Sequence, residues 1–234
     1  FMVDIGQSLI SVIIPAHNEE KYINQTIQSV LNQTYPSVEI IAVPNGCTDN
    51  THSVIQTIMD KSPASTRILS INQKQAHVSL ARNKGADIAK GEILVFLDAD
   101  TVLEPNSLSL IAQKFTQDHS SATLKIAPDQ FQLSYAMYCG IKNNINKLHF
   151  YKGISGVFIC HKKHFTQVGG FNKNLQLKEH KDLRKRLDNL GKYTYINAIA
   201  TTSMRRHKAK GLLKNVGFWI KTVLKDIETY EVIR

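Results

Sequence analysis

Apolar and polar positions along this chain fall into blocks of changing period. Ser11-Val12-Ile13-Ile14 is an apolar run that enters Pro15-Ala16-His17-Asn18-Glu19-Glu20, and helical spacing follows from about Tyr22 to Asn32. A second apolar run, Val38 to Val43, ends in Pro44-Asn45-Gly46-Cys47-Thr48-Asp49-Asn50, a turn whose Thr and Asp suit the start of the next helix. Ala81-Arg82-Asn83-Lys84-Gly85-Ala86 sits on or near a helix, and Lys90-Gly91-Glu92 leads into the buried-type strand Ile93-Leu94-Val95-Phe96-Leu97. This alternation of strand, loop and helix predicts an α/β fold, Rossmann-like, with a mostly parallel sheet flanked by helices on both faces. Further on, Gly153 to Ile159 reads as a turn entering a strand. Lys178 opens a helix to about Asn189 that stops at Gly191, and Tyr193 to Ile196 is strand-like.

The apolar run at 93–97 ends in Asp98-Ala99-Asp100. If the chain stays extended there, alternation points both carboxylates to the same side. Hard divalent cations such as Mg²⁺ or Mn²⁺ take oxygen ligands of this kind, and open α/β sheets place ligands at the carboxyl ends of their strands.

The segments SVIIPAHNEEKYINQTIQSVLNQTYPSVEIIAVPNGCTDNT, ARNKGADIAKGEILVFLDADT and GVFICHKKHFTQVGGFN, in this order and spacing, resemble family 2 glycosyltransferases of the GT-A fold over most of residues 9 to 207. The resemblance implies an inverting, metal-dependent transfer of a sugar from a nucleoside-diphosphate donor, UDP- or GDP-linked, to a saccharide or lipid-linked acceptor hydroxyl. It implies one domain over 1–234, with a nucleotide-sugar half at about 9–100, an acceptor and catalytic half at about 101–207, and a carboxyl-terminal basic amphipathic helix at about 208–234.

By the same resemblance Pro15, Ala16, His17 and Glu19 line the nucleoside, with His17 where relatives often carry an aromatic residue. Arg82 and Asn83 lie near the nucleobase or phosphates. Asp98 lies near ribose or donor sugar, and Asp100 holds the divalent metal. Arg205 and Arg206 close over the diphosphate, and His207 is a further metal ligand. Gly169-Gly170-Phe171-Asn172 is the turn before the catalytic acidic segment.

The sequence departs from the family pattern twice. Many relatives end the second strand with two aspartates, where this chain has Pro44 and Asn45; Asn45 still offers a donor and an acceptor to a base edge. The usual Glu-Asp-x-Asp-Leu reads Glu179-His180-Lys181-Asp182-Leu183 here, so His180 stands at the position of the base. Glu179, His180 and Asp182 all accept protons. Glu179 is the favoured base, His180 the second choice, and Asp182 reads as a helix-start or positioning residue.

Composition narrows the rest. Among 234 residues, 42% hydrophobic and 21% charged content is that of a globular protein. No apolar run reaches the roughly 18–20 residues that span a bilayer and no secretory pattern is recognised, so a cytoplasmic protein is expected. Cys47, Cys139 and Cys160 have no metal-type spacing and read as reduced thiols. The net charge of +10 raises nucleic acid as a partner. No nucleic-acid motif accompanies it, and a nucleoside diphosphate or an anionic membrane accounts for the same charge. Leu212, Leu213, Val216, Phe218, Trp219, Ile220, Val223, Leu224 and Ile227 recur at helical spacing with Lys214, Lys221 and Lys225 between them. That pattern fits a helix packed on the domain or one resting at the inner face of a membrane.

Two other functions share parts of this pattern. A sugar-nucleotide nucleotidyltransferase would carry a glycine-rich basic loop after its first strand, which PAHNEE is not. A module that binds nucleotide sugar without transferring it is consistent with His180 at the base position.

Overall fold

A computed structural model describes residues 8–63, 67–148, 156–175, 178–205 and 208. The first four strands, β1 (Ile10–Ala16), β2 (Val38–Pro44), β3 (Arg67–Ser70) and β4 (Ile93–Leu97), alternate with helices α1 (Ile23–Leu31), α2 (Thr51–Lys61) and α3 (Val78–Ile88). After them come β5 (Thr101–Leu103), α4 (Ser107–Lys114), β6 (His119–Pro128), α5 (Leu133–Lys147), β7 (Val157–His161), α6 (Lys162–Gln167), α7 (Glu179–Leu187) and β8 (Lys192–Thr202). One sheet runs in the order β3-β2-β1-β4-β7-β6-β8-β5. β1 to β4 pair in parallel, β7 is antiparallel to both β4 and β6, and β8 is parallel to β6.

The central strands β1, β2 and β4 are mostly apolar because both faces are covered. In β1, Ile10, Val12 and Ile14 go to one face and pack with Ile23, Ile27 and Ile55. Ile13 goes to the other face and joins Ala81, Phe96, Phe158 and Phe171. Gly85 lets α3 close on the sheet, since a Cβ there would stand 2.5 Å from Ile13 Cγ2. Parallel pairing sends the carboxyl ends of β1, β2 and β4 to one edge, and the loops that follow them meet there.

Three expectations are adjusted by the structure. Asp98 to Asp100 is a tight turn rather than extended chain, closed by the Thr101 amide donating to Asp98 O at 3.0 Å. β8 runs to Thr202, well past Ile196. α7 ends at Leu187, before Asn189. Arg206, His207, residues 153–155 and the segment 209–234 lie outside the described residues. No helix among those described is long and apolar enough to cross a membrane.

Candidate active site

The floor of the site is the paired ends of β1 and β2. Pro15 lies opposite Val43 and Ala16 opposite Pro44, and the Asn45 amide donates to Ala16 O at 2.8 Å. Pro15 and Ala16 thus contribute buried backbone. The loop beyond them turns at Asn18, whose φ of 55° is in the left-handed region that Asn tolerates. Asn18 Oδ1 accepts from the Thr48 amide at 2.8 Å, and the Glu19 amide donates to Thr51 Oγ1 at 2.7 Å. Asp49 serves the start of α2 by accepting from the Thr51 amide at 3.0 Å and from its hydroxyl at 2.6 Å. The first loop is therefore clasped to the second.

His17 Nδ1 lies 2.6 Å from Asn45 O; a carbonyl only accepts, so this nitrogen carries the proton and the ring orientation is fixed. Asn45 is buried, and its Oδ1 accepts from the His77 amide at 2.7 Å. Its acceptor is thus spent on the start of α3, which leaves its amide NH₂ for any ligand. His77 caps that helix in turn, with Nδ1 accepting from the Leu80 amide.

Two arginines organise the acidic residues. Arg82, 4% exposed on α3, places Nη1 2.8 Å from Glu179 Oε1 and Nη2 3.0 Å from Asp98 Oδ1. Its guanidinium also lies 5.3 Å from the centre of the Phe171 ring. Arg205 joins Glu19 Oε1 to Asp100, with Nη2 at 3.1 Å from Asp100 Oδ2, and its guanidinium covers the Tyr22 ring at 4.4 Å. Each aspartate of the turn is thus paired with a different arginine, and each arginine reaches a second carboxylate from a distant part of the chain.

Glu179 opens α7 directly after Lys178, whose φ of 60° is left-handed. Burial pushes the Glu179 carboxyl up, but His180 and Arg82 beside it prevail and hold it below the usual carboxylate range. His180 is buried, its ring stacked on Phe158 at 5.4 Å and set edge-on to Phe171 at 5.5 Å, with Nδ1 3.9 Å from Glu179 Oε1. Asp182 is engaged by Arg186: its Oδ2 receives Arg186 Nη2 at 2.6 Å, and Arg186 also donates to Val168 O and Gly170 O. Asn83 clasps the same turn, accepting from the Phe171 amide at 2.9 Å and donating to Phe171 O at 2.8 Å. The Asn83 side chain, expected near the nucleobase or phosphates, holds the Gly-Gly-Phe turn. The sequence did not single out Tyr22, which covers Arg205; the only signal was an aromatic residue next to the acidic loop.

A hard divalent cation fits this donor set. Mg²⁺ and Mn²⁺ are often held by one or two carboxylates, with phosphates and water completing the shell. Asp98 and Asp100 supply carboxylates on one turn, and Glu19 Oε2 is buried without a hydrogen-bond partner. Among the described residues no group of three or more His, Cys, Asp or Glu is placed to hold a metal ion by itself.

Comparison with known proteins decides the family. A profile described as Glycosyl transferase family 2 matches residues 11–210. The chain belongs to this family. It is 28% identical over 200 residues to chondroitin synthase of Escherichia coli, an alignment that takes in 82% of this chain and 28% of that protein. The chain therefore spans about a quarter of that relative. A mannosyltransferase from Pyrobaculum calidifontis, solved with GDP-Man and Mn²⁺, superposes with a TM-score of 0.70 at 16% identity, covering 92% of this chain and 65% of that one. TarS 1-349 of S. aureus, solved with UDP, gives a TM-score of 0.64 at 17% identity, covering 92% and 66%. These likenesses establish the GT-A fold for this family member.

Proposed function

We propose that the chain is an inverting, metal-dependent glycosyltransferase that moves a sugar from a UDP- or GDP-sugar to a hydroxyl of a saccharide or lipid-linked acceptor. The observation that carries the reading is the Arg82 bridge, which ties Glu179 to Asp98 and so couples an ionised carboxylate to the acidic turn. Glu179 is the base: it takes the proton of the acceptor hydroxyl while that oxygen forms a bond to the anomeric carbon. The bond from that carbon to the diphosphate breaks in the same displacement, its electron pair leaves with the nucleoside diphosphate, and the configuration inverts. His180, packed against Phe158 and Phe171, fixes Glu179 from behind, and Asp182 supports the preceding turn through Arg186.

Asp100, with Asp98 beside it, would hold a divalent metal; His207 is assigned there by sequence only. The metal supplies electrostatic support for the departing diphosphate. His17, Glu19 and the Asn45 amide face the nucleoside, and Arg205 and Arg206 serve the phosphates. Complexes of relatives with UDP or with GDP-Man and Mn²⁺ support this class of donor.

The test is a thermal-shift panel of UDP- and GDP-sugars with and without Mn²⁺, paired with a transfer assay. Asp100→Ala should abolish the metal-dependent stabilisation. Glu179→Ala should abolish transfer while donor binding persists. Donor binding by a wild-type chain that transfers to no acceptor would instead establish a binding module.

A further inference from the structure

Helix α5 carries its larger apolar side chains on the outside. Its inner face is formed by Tyr135, Cys139 and Asn146, with Asn143 clamping the Ile126 backbone through bonds of 2.9 and 2.8 Å. The outer face shows Leu133 at 69%, Met137 at 60% and Ile141 at 54% exposure, and Phe131 just before the helix and Leu148 just after it are 92% and 60% exposed. At about 100° per residue, Leu133, Met137, Ile141 and Leu148 fall within an arc of about 80°. These are the large hydrophobic residues left exposed among the described residues. An apolar stripe of this kind, interrupted by exposed Asn144, marks a contact surface.

Charge selects the partner. From Gln130 to Lys178 the sequence holds no Asp or Glu; Lys147 is exposed at the edge of the stripe, while Lys142 sets its ammonium 4.9 Å from the centre of the Tyr138 ring. A second copy of the chain would meet the stripe with the same stripe and set lysine against lysine. The chain's own carboxyl-terminal segment is no better matched, since Ser203 to Lys225 is also free of acidic residues and rich in Lys and Arg. Apolar side chains bordered by Lys147, in a stretch without acids, suit the headgroup layer of an anionic bilayer, where a lysine stem lies along the surface and its ammonium group meets lipid phosphates.

We infer that the exposed face of α5, from Phe131 to Leu148, docks this protein on an anionic lipid surface. The pocket lined by Tyr22, Asp129, Gln130, Tyr135, Met204 and Arg205 opens beside the start of this stripe. On the proposed reading of the site, docking brings that opening to a lipid-held acceptor.

The experiment is co-sedimentation of the full chain with vesicles of phosphatidylcholine mixed with phosphatidylglycerol, beside pure phosphatidylcholine. Wild type should partition onto the mixed vesicles and release at high salt. Met137→Gln with Ile141→Gln should lower that partition about tenfold, and Lys147→Gln should lower both partition and its salt dependence. Unchanged melting curves show that the variants remain folded. The inference is overturned if wild type binds neither vesicle, if both variants bind as wild type does, or if the apolar variant instead breaks a dimer seen in solution. Transfer to a water-soluble acceptor should be the same in wild type and variants. Its absence in wild type would count against the transferase reading and leave the vesicle result standing.

Discussion

Arg82 is the residue on which the proposed chemistry turns. Its two terminal nitrogens are spent on Glu179 and Asp98, at 2.8 and 3.0 Å, so it acts on the base through position and charge. Lysine at this place has one donor centre and cannot hold two carboxylates in the same fork. Arg82→Lys should therefore lower kcat by on the order of 100-fold, the cost typical of a small misplacement at a reacting centre, while donor affinity changes far less. The pH profile gives a second readout. Burial raises the Glu179 carboxyl, His180 and Arg82 outweigh it, and the net position is below the ordinary range. Taking away the guanidinium removes one of the lowering contributions, so the acid limb of the activity profile should move to higher pH in Arg82→Met. A fall in kcat with an unmoved acid limb would make Arg82 a packing residue only.

The elements differ in how far the sequence reveals them. β1, β2 and β4 are mostly apolar runs covered on both faces, broken by Ser11 and Glu39, and α1 and α3 carry helical periodicity between them, so these parts of the parallel half are readable, whereas the short β3 is not. β6 was not: Ser120, Ser121 and Thr123 are fully buried within it, and such polar residues read as loop until the neighbouring strands that enclose them are known. α5 escaped because its apolar residues face outward, against the usual pattern. The acidic turn was legible as chemistry but not as geometry, since nothing local distinguishes extended chain from a turn closed at Thr101. The partnerships of Arg82 with Glu179 and of Arg205 with Glu19 join residues 97 and 186 positions apart, and no local pattern encodes them. The buried Glu39 of β2 is a further long-range device. It accepts from Ser11 Oγ and the Gly91 amide and pairs with Arg67 Nε at 2.6 Å, tying β1, β2, β3 and the entry to β4 together at the end of the sheet remote from the site. Arg67→Ala leaves a buried carboxylate oxygen without its partner and should destabilise the fold by about 1–3 kcal/mol in chemical denaturation. Because the contact lies away from the acidic turn, donor affinity of the folded fraction should be unchanged.

At the scale of the molecule, the two ends of the sheet respond to different protons. The register of β4 with β7 sets Val157 against Leu97 at the site end and His161 against Ile93 at the other. There His161 stacks on Phe115 at 4.5 Å, meets His164 edge-on at 5.4 Å, and places Nε2 3.1 Å from Thr116 O. Burial lowers the affinity of both imidazoles for a proton, and Lys163 nearby adds to the effect. The sign of the consequence follows from linkage. In the unfolded chain a histidine titrates near ~6.5, so below that pH the unfolded state takes up protons that the folded state refuses. Stability is then full above about pH 7 and declines as pH falls toward the depressed folded values, by at most about 1.4 kcal/mol per pH unit for each group. Glu179 cannot mimic this, because its depressed carboxyl loses stabilising charge only as pH falls below the ordinary carboxylate range. A melting series from pH 7.5 to about 5 should show the decline in wild type, and replacing His161 and His164 together with Phe should flatten its slope even if it also changes the absolute melting temperature. The site lies at the opposite end of the strands, so the flattened variant should keep the wild-type donor-dependent rise in melting temperature. An unchanged slope would assign the acid sensitivity of the fold to other groups.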